Sequence, residues 1–296
     1  MNVRVIVSML LCLLPWSLWA AEVTRSDQGR QLVANLELAE GKHLSDGVVL
    51  MTHGTLAHGQ MEIMSTLQGL LKEQGHNSLS ITLSLGMDKR HGMYDCKAPH
   101  IHRHEDALLE IDGWLSWLKS NNAGPVVLLG HSRGGNQTAW YASEYPDAAF
   151  DKVVLIAPAT WTEADEHKDY QRRYKKSLQP LFDKASALVK QGKGAQMMEH
   201  TDFIYCSDTS VSAEAFVNYY QADPRMHTPY LLPRIKQPVM VFAGSEDTVV
   251  KGLIEAVEAI ADGEKIQLQI IDGADHFFRD LYAEEITESM LEFMAR

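Results

Sequence analysis

The hydrophobic positions along the chain follow two patterns, short continuous runs and runs with helical spacing. Continuous apolar runs of four residues begin at Val48, Val126, Val153 and Val239. Such runs are typical of strands buried on both faces of a sheet. The further predicted strands are 32–38, which is of edge type, 78–85 and 266–271. The predicted helices are 61–74, 104–119, 138–145, 253–261 and one from about Asp280. This strand–helix alternation predicts an α/β fold with a mostly parallel central sheet and helices on both faces.

The alternation is interrupted between residues 159 and 235. This segment is rich in charged residues, has helical spacing over 177–190, and carries a cluster of aromatic residues near its end. A structureless loop of that length is uncommon in a compact domain. We therefore predict a small helical insertion, a lid or cap over a core formed by residues 22–158 and 236–296.

Residues 1–21 have the layout of a secretory signal peptide. Arg4 precedes an apolar run from Val5 to Leu14, and small residues at Ala20 and Ala21 precede a polar segment. The run is shorter than the roughly 20 residues that span a bilayer. We therefore expect cleavage rather than an anchor, an exported protein that is periplasmic or secreted, and no stable membrane span after cleavage.

The net charge and the cysteine content argue against two classes of function, nucleic-acid binding and zinc binding through cysteines. Lys and Arg total 27 against 39 Asp and Glu, a net charge of −12, which argues against nucleic acid as a partner. The three cysteines lack the CxxC spacing of a zinc site. Removing Cys12 with the signal peptide leaves Cys96 and Cys206. In an oxidising compartment these two form a candidate disulfide, and the alternative is two separate buried thiols.

The candidate chemistry begins directly after the apolar run at Val126. There Gly130-His-Ser132-Arg-Gly134 has the G-x-S-x-G pattern of a nucleophile elbow, in the required strand–turn–helix context. Small neighbours allow the sharp turn that exposes the serine hydroxyl. The amide of Arg133 then lies at a helix N-terminus, where it can stabilise an oxyanion.

A serine hydroxyl needs a base, and the base needs an acid that orients it. The next two predicted strands end in segments that contain Asp247 and His276. Because ligands bind at the carboxyl ends of strands in open α/β sheets, both residues are expected on the same edge as Ser132. Glu246 is an alternative acid, whereas Asp272 and Asp275 are more typical of turns or helix caps.

These motifs, with Thr52-His53-Gly54-Thr55 after an early strand, resemble the α/β-hydrolase family over about residues 48–294. The resemblance implies that Ser132 is the nucleophile, His276 the general base and then acid, and Asp247 the residue that orients the imidazole. It also implies an oxyanion hole formed by the backbone amides of Thr55 and Arg133. The insertion falls where lids of the family fall, between the sixth and seventh core strands.

A serine nucleophile favours acyl transfer through a covalent acyl-enzyme. We therefore predict a hydrolase of carboxylic esters that acts on a small-molecule acyl substrate and uses no cofactor. A thioesterase and a peptidase or amidase would use the same residues. A non-catalytic periplasmic binding or accessory protein is the alternative from a different class. Neither the substrate nor the oligomeric state is indicated by any motif.

A histidine cluster suggests a rival, metal-dependent hydrolase. His91, His100, His102 and His104 precede Asp106, and alternate residues of an extended chain share a face. A zinc site needs further ligands in suitable positions, and the sequence offers no convincing ones. We therefore expect no metal, and interpret the segment as a polar loop that leads into the helix beginning near His104.

Overall fold

An eight-stranded sheet forms the centre of the computed structural model, which describes residues 21–27 and 29–296. Its strands are β1 (Ala21–Asp27), β2 (Arg30–Glu37), β3 (Val48–Thr52), β4 (Ser78–Thr82), β5 (Val126–His131), β6 (Lys152–Ile156), β9 (Val239–Gly244) and β10 (Ile266–Ile271). Two further strands, β7 (Met197–Phe203) and β8 (Cys206–Ser212), form a separate hairpin. The helices are α1 (Glu62–Glu73), α2 (Asp106–Ser120), α3 (Arg133–Glu144), α4 (Glu163–Tyr174), α5 (Gln179–Lys190), α6 (Ala213–Tyr220), α7 (Thr228–Leu231), α8 (Leu253–Glu258) and α9 (Leu281–Ala295).

The strand order in the large sheet is β1-β2-β4-β3-β5-β6-β9-β10. The pairs β1–β2 and β2–β4 are antiparallel, and all other neighbours are parallel. Apolar residues of α1 and α9 pack on one face, and those of α2, α3 and α8 pack on the other. The prediction of a mostly parallel sheet covered on both faces is therefore confirmed. Every residue of β3, β4, β5 and β9 is buried, in keeping with the apolar runs of β3, β5 and β9.

The edge of the sheet differs from the prediction. The segment 32–38 was expected to be an edge strand, but β2 lies between β4 and the outer strand β1. Seven residue pairs join β1 to β2, from Ala21 opposite Leu36 to Asp27 opposite Arg30. The sequence of β1 is largely polar and exposed, so it has no apolar run that could have revealed it. Apart from Ala21, the predicted signal peptide lies outside the described residues.

The insertion between β6 and β9 contains α4, α5, α6 and α7, and it also contains the hairpin β7–β8. The insertion contains helices, as expected, but the sequence analysis did not predict the hairpin. The register of the hairpin is irregular, and the sequence of β8 is mostly polar. Neither strand therefore shows a regular alternation of apolar and polar residues. The insertion has its own apolar cluster, in which Phe203 and Phe216 are fully buried. Among the described residues, no helix is long and apolar enough to cross a membrane.

A disulfide joins Cys96, in the loop after β4, to Cys206 at the start of β8, with 5.3 Å between the Cα atoms. The same loop is held to β8 by backbone hydrogen bonds. The amide of His100 donates to the carbonyl of Ser210, and the amide of Ser212 donates to the carbonyl of His100. The loop and the insertion are therefore fastened together by both covalent and hydrogen bonds.

We expect the double substitution Cys96→Ser with Cys206→Ser to lower the free energy of unfolding. The bond spans 110 residues, for which the chain-entropy model gives a stabilisation of about 4 kcal/mol. Denaturant unfolding of the variant and of the oxidised protein measures the difference. Equal unfolding free energies, or two alkylatable thiols in the unreduced mature protein by mass spectrometry, would contradict the expectation.

Candidate active site

Ser132 lies in the tight turn between β5 and α3. Its backbone has φ 57° and ψ −124°, a left-handed conformation that non-glycine residues rarely adopt. Small neighbours make the turn sterically feasible. A Cβ atom on Gly130 would lie 2.5 Å from the carbonyl oxygen of Gly134, and one on Gly134 would overlap the carbonyl oxygen of His53. The G-x-S-x-G segment thus adopts the elbow geometry in the predicted strand–turn–helix context.

The structure brings Ser132, His276 and Asp247 together. Ser132 Oγ lies 2.9 Å from His276 Nε2, and His276 Nδ1 lies 2.8 Å from Asp247 Oδ2. An ionised carboxylate can only accept hydrogen bonds, so Nδ1 carries the proton and Nε2 is free to accept from the serine. Glu246, the alternative acid, is exposed and is not a partner of the imidazole.

Both oxygen atoms of the Asp247 carboxylate accept hydrogen bonds. Its Oδ1 atom accepts from the amides of Val249 and Val250, at 2.7 and 3.0 Å, while Oδ2 faces the imidazole. Burial raises the pKa of Asp247. The hydrogen bond from His276, the charge of His276 and the hydrogen bonds from the two amides lower it, and their combined effect is larger than that of burial. They hold the pKa of Asp247 below its usual value.

His131 lies next to His276. Its Nε2 atom donates to the carbonyl oxygen of His276 at 2.9 Å, and the centroids of the two imidazole rings are 4.9 Å apart. Burial, together with the nearby His276, lowers the pKa of His131 to about 4. A neutral imidazole here supports the loop that carries His276 without adding charge under it.

Thr55 and Arg133, the predicted oxyanion-hole residues, line the same cavity as Ser132. A Cβ on the neighbouring Gly54 would be 3.1 Å from Ser132 Cβ, so the two segments approach closely. Within residues 21–27 and 29–296, neither the Thr55 amide nor the Arg133 amide has a hydrogen-bond acceptor. Two free amides next to a serine hydroxyl are able to bind a developing negative charge.

The loop that contains Thr55 rests on a buried network that the sequence did not reveal. His53 Nδ1 donates to the carbonyl of Gly54, and His53 Nε2 accepts from the amide of Leu83. Arg90 Nη2 donates to the carbonyl of Ala57 and lies 3.2 Å from His53 Nε2. Burial and the charge of Arg90 lower the pKa of His53 to about 3. His53 and Arg90 therefore support the loop that carries Thr55, although no sequence motif identified Arg90 for this role.

A cavity of about 130 Å³ opens beside Ser132. It is close in volume to the ~150 Å³ cavity that accepts one benzene molecule. Much of its wall comes from the insertion, including Tyr170 and Tyr205. The charged residues that line it are Arg133, Asp165, Glu166, Asp169, Arg173 and Lys251. The space next to the serine is thus small and predominantly polar.

The histidine cluster forms hydrogen bonds within the protein. His100 Nδ1 lies 3.3 Å from His102 Nε2, and His102 Nδ1 lies 2.8 Å from the hydroxyl of Tyr219. His104 contacts Asn136 and Arg133, and His91 lies apart from the cluster, next to Glu22 on the surface. In the described part of the chain, no group of three or more His, Cys, Asp or Glu side chains is arranged to hold a metal ion.

A serine in an elbow, a histidine and an aspartate at the ends of later strands, and a mostly parallel sheet define the class of α/β-hydrolases. A family model described as serine aminopeptidase, S33, matches residues 45–279. The chain belongs to this family of α/β-hydrolases, and the predicted family and fold class are confirmed.

Solved structures of related fold include esterases and lipases. Est1E from Butyrivibrio proteoclasticus is similar with a TM-score of 0.63 and 17% identity, over 93% of this chain and 99% of that one. A monoacylglycerol lipase from Paleococcus ferrophilus has a TM-score of 0.59 and 20% identity, over 88% and 97% of the two chains. A probable 1-acylglycerol-3-phosphate O-acyltransferase from Oryza sativa subsp. japonica is 37% identical over 57 residues. That match spans 19% of this chain and 14% of the plant protein.

Proposed function

We propose that the protein is a serine hydrolase that cleaves a carboxylic ester through an acyl-enzyme intermediate. The hydrogen-bonded series Ser132–His276–Asp247, with 2.9 and 2.8 Å between the polar atoms, carries this proposal. The esterase and lipase identity of the structural neighbours supports the choice of an ester bond.

In the proposed reaction, Ser132 Oγ attacks the ester carbonyl while His276 Nε2 accepts the serine proton. The amides of Thr55 and Arg133 stabilise the negative charge on the carbonyl oxygen. His276 then donates the proton to the departing alcohol, which leaves an acyl group on Ser132. A water molecule, deprotonated by His276, releases the acid and restores the serine.

Peptide or amide hydrolysis is the second candidate, because the matching family model is described as a serine aminopeptidase. The same groups would act, with an amine as the leaving group. A thioester substrate and a non-catalytic binding role remain the further alternatives, and they have no supporting observation of their own.

The two candidates can be separated with an organophosphonate probe and matched chromogenic substrates. We expect the probe to label the wild-type protein on Ser132 and to leave Ser132→Ala unlabelled. We also expect 4-nitrophenyl acetate to be cleaved, and alanine 4-nitroanilide, which carries the free amine that an aminopeptidase requires, not to be cleaved. Absence of labelling in the folded wild-type protein would favour a binding role, and cleavage of the anilide would favour the peptidase.

We further propose that the mature protein is exported and that residues 159–235 act as a lid. The Cys96–Cys206 bond supports export, since disulfides persist in oxidising compartments. Tyr205, next to Cys206, lines the cavity, which supports a lid that is held near the serine by the disulfide. Cell fractionation tests the localisation of the mature chain, and a mature N-terminus near Ala21 would identify cleavage.

A further inference from the structure

We propose that the guanidinium group of Arg133 binds a carboxylate on the substrate, so that the preferred substrate is an acidic ester. This inference rests on the proposed function, because it names the substrate class of the same site. It concerns the side chain of Arg133, whereas the proposed oxyanion hole uses only its backbone amide.

Three segments of the chain hold the guanidinium in place. Arg133 Nε donates to Thr55 Oγ1 at 3.1 Å, and Nη1 donates to His104 Nδ1 at 3.1 Å. The guanidinium carbon lies 5.1 Å from the centre of the Tyr219 ring. All three partners are uncharged, so they orient the guanidinium but do not neutralise it.

The uncharged state of His104 follows from its other partner. Asn136 Nδ2 donates to the carbonyl of Arg225 and to Thr228 Oγ1, so Asn136 Oδ1 faces His104 Nε2 at 2.8 Å. His104 Nε2 must therefore carry the proton, which leaves Nδ1 as an acceptor for Arg133. Burial and the adjacent guanidinium agree with this assignment, because they lower the pKa of His104 to about 3.

Among the described residues, the guanidinium of Arg133 forms no ion pair at contact distance, although its charge acts on the carboxyl group of Glu166 in the same cavity. In the described ranges, no Asp or Glu oxygen lies within 4.0 Å of its nitrogen atoms, and Nη2 has no hydrogen-bond acceptor. The residue lines the same cavity as Ser132. An oriented, unneutralised guanidinium beside the reacting group fits a carboxylate, with which it forms strong charge-assisted hydrogen bonds.

The other cations of the cavity are less suited to this role. Lys251 is already paired with Asp169 at 3.2 Å. Arg173 is exposed, and its guanidinium carbon lies 4.2 Å from the centre of the Tyr205 ring. Arg133 is therefore the cation whose geometry and charge are both available to a substrate held at Ser132.

Glu166 also lines the cavity, and its carboxyl group has no hydrogen-bond partner among the described residues. Burial raises the pKa of Glu166, although Arg133 acts in the opposite direction. An ionised Glu166 carboxylate repels an anionic substrate. The residue supplies a matched control, because Glu166→Gln and Arg133→Met should change the preference for anions in opposite directions.

Two pairs of esters test the inference. The first pair compares ethyl butyrate with monoethyl succinate, which places a carboxylate on the acyl side. The second compares phenyl acetate with 4-acetoxybenzoate, which places it on the alcohol side. The readout is the ratio of kcat/KM for the anionic ester to that for the neutral ester, since a ratio cancels changes common to both substrates.

We expect the wild-type protein to prefer the anionic ester in at least one pair. Arg133→Met should lower that ratio at least about tenfold, the usual effect of losing a hydrogen bond to a charged group. Glu166→Gln should raise it. If the wild-type protein prefers the neutral ester in both pairs, the inference is overturned, and this result does not depend on the folding of any variant. Equal ratios in the wild-type protein and in a folded Arg133→Met variant also overturn it.

Binding of 4-hydroxybenzoate, measured by calorimetric titration, separates this inference from the proposed function. If no ester is hydrolysed but the carboxylate binds to the wild-type protein and not to Arg133→Met, the proposed function fails and the anion site stands. If neither hydrolysis nor binding is observed, both fail.

Discussion

Replacing Ser132 with alanine should lower kcat/KM for a cleaved ester by roughly 10⁵-fold or more, and His276→Ala should have a similar effect. The two side chains form one hydrogen-bonded unit, in which Ser132 Oγ and His276 Nε2 are 2.9 Å apart. Loss of either group removes the activated nucleophile. Initial rates on 4-nitrophenyl acetate measure the effect, and Ser120→Ala is the control, because that exposed serine ends α2 and its hydroxyl donates only to the carbonyl of Ser116. Near-wild-type turnover in a folded Ser132→Ala protein would refute the assignment.

Asp247→Asn tests the orientation of the imidazole more specifically. The amides of Val249 and Val250 would select the side-chain oxygen of the asparagine and turn its NH₂ group toward His276. The imidazole would then carry its proton on Nε2, where it can no longer accept the proton of Ser132. We expect a loss of roughly 10⁴-fold in kcat.

Glu246→Gln is the matched control for Asp247→Asn, because Glu246 is the neighbouring acid, is exposed, and forms no hydrogen bond with the imidazole, whose partner is Asp247. It should retain nearly full activity. Full activity in Asp247→Asn combined with a loss in Glu246→Gln would transfer the orienting role to Glu246.

The sequence allowed the central sheet and the candidate site to be predicted because both depend on strong local patterns. Strands buried on two faces appear as apolar runs, as in β3 and β5, and parallel strands bring their carboxyl ends to one edge. The elbow needs small residues at Gly130 and Gly134 for steric reasons that the coordinates make explicit. The meeting of Ser132, Asp247 and His276 follows from topology rather than from sequence proximity.

The parts that could not be predicted depend on pairing and burial. Strand β1 has a polar sequence and exists through its register with β2. Arg90 lies in a loop with no motif, yet its side chain is almost fully buried and binds carbonyls of the Thr55 loop and its surroundings. The histidine segment suggested a metal because spacing alone does not show that Tyr219, Asn136 and Arg133 would engage those rings.

A second large effect is expected from mild acid, because five of the described histidines, apart from His276, are almost fully buried. Burial is the main cause that lowers their pKa values, to about 3 for His53, His102 and His104 and about 4 for His100 and His131. In the unfolded chain a histidine has a pKa of about 6.5. Between about pH 6.5 and 4 the unfolded state therefore binds more protons than the folded state, and stability must fall as the pH falls.

Each of these histidines should cost about 1 kcal/mol of stability between pH 6.5 and 5.5, by integration of the proton linkage. Glu110 acts in the opposite direction, since burial raises its pKa to about 7. It recovers about 1 kcal/mol over the same interval. The net loss of about 4 kcal/mol is a large part of the 5–15 kcal/mol typical of a domain. Chemical denaturation at several pH values measures it.

Single substitutions can show that the buried rings cause this acid sensitivity. At pH 5, His102→Gln should reduce the slope of unfolding free energy against pH by about 1.4 kcal/mol per pH unit. This is the contribution of one proton that binds to the unfolded state and not to the folded state. The exposed His43 is the matched control, and His43→Gln should leave the slope unchanged. Because the readout is a slope, any constant loss of stability from removing the His102–Tyr219 hydrogen bond does not affect the comparison. A wild-type stability that stays flat from pH 6.5 to 5 would mean that these histidines become protonated without unfolding, and that the buried cluster is open to water.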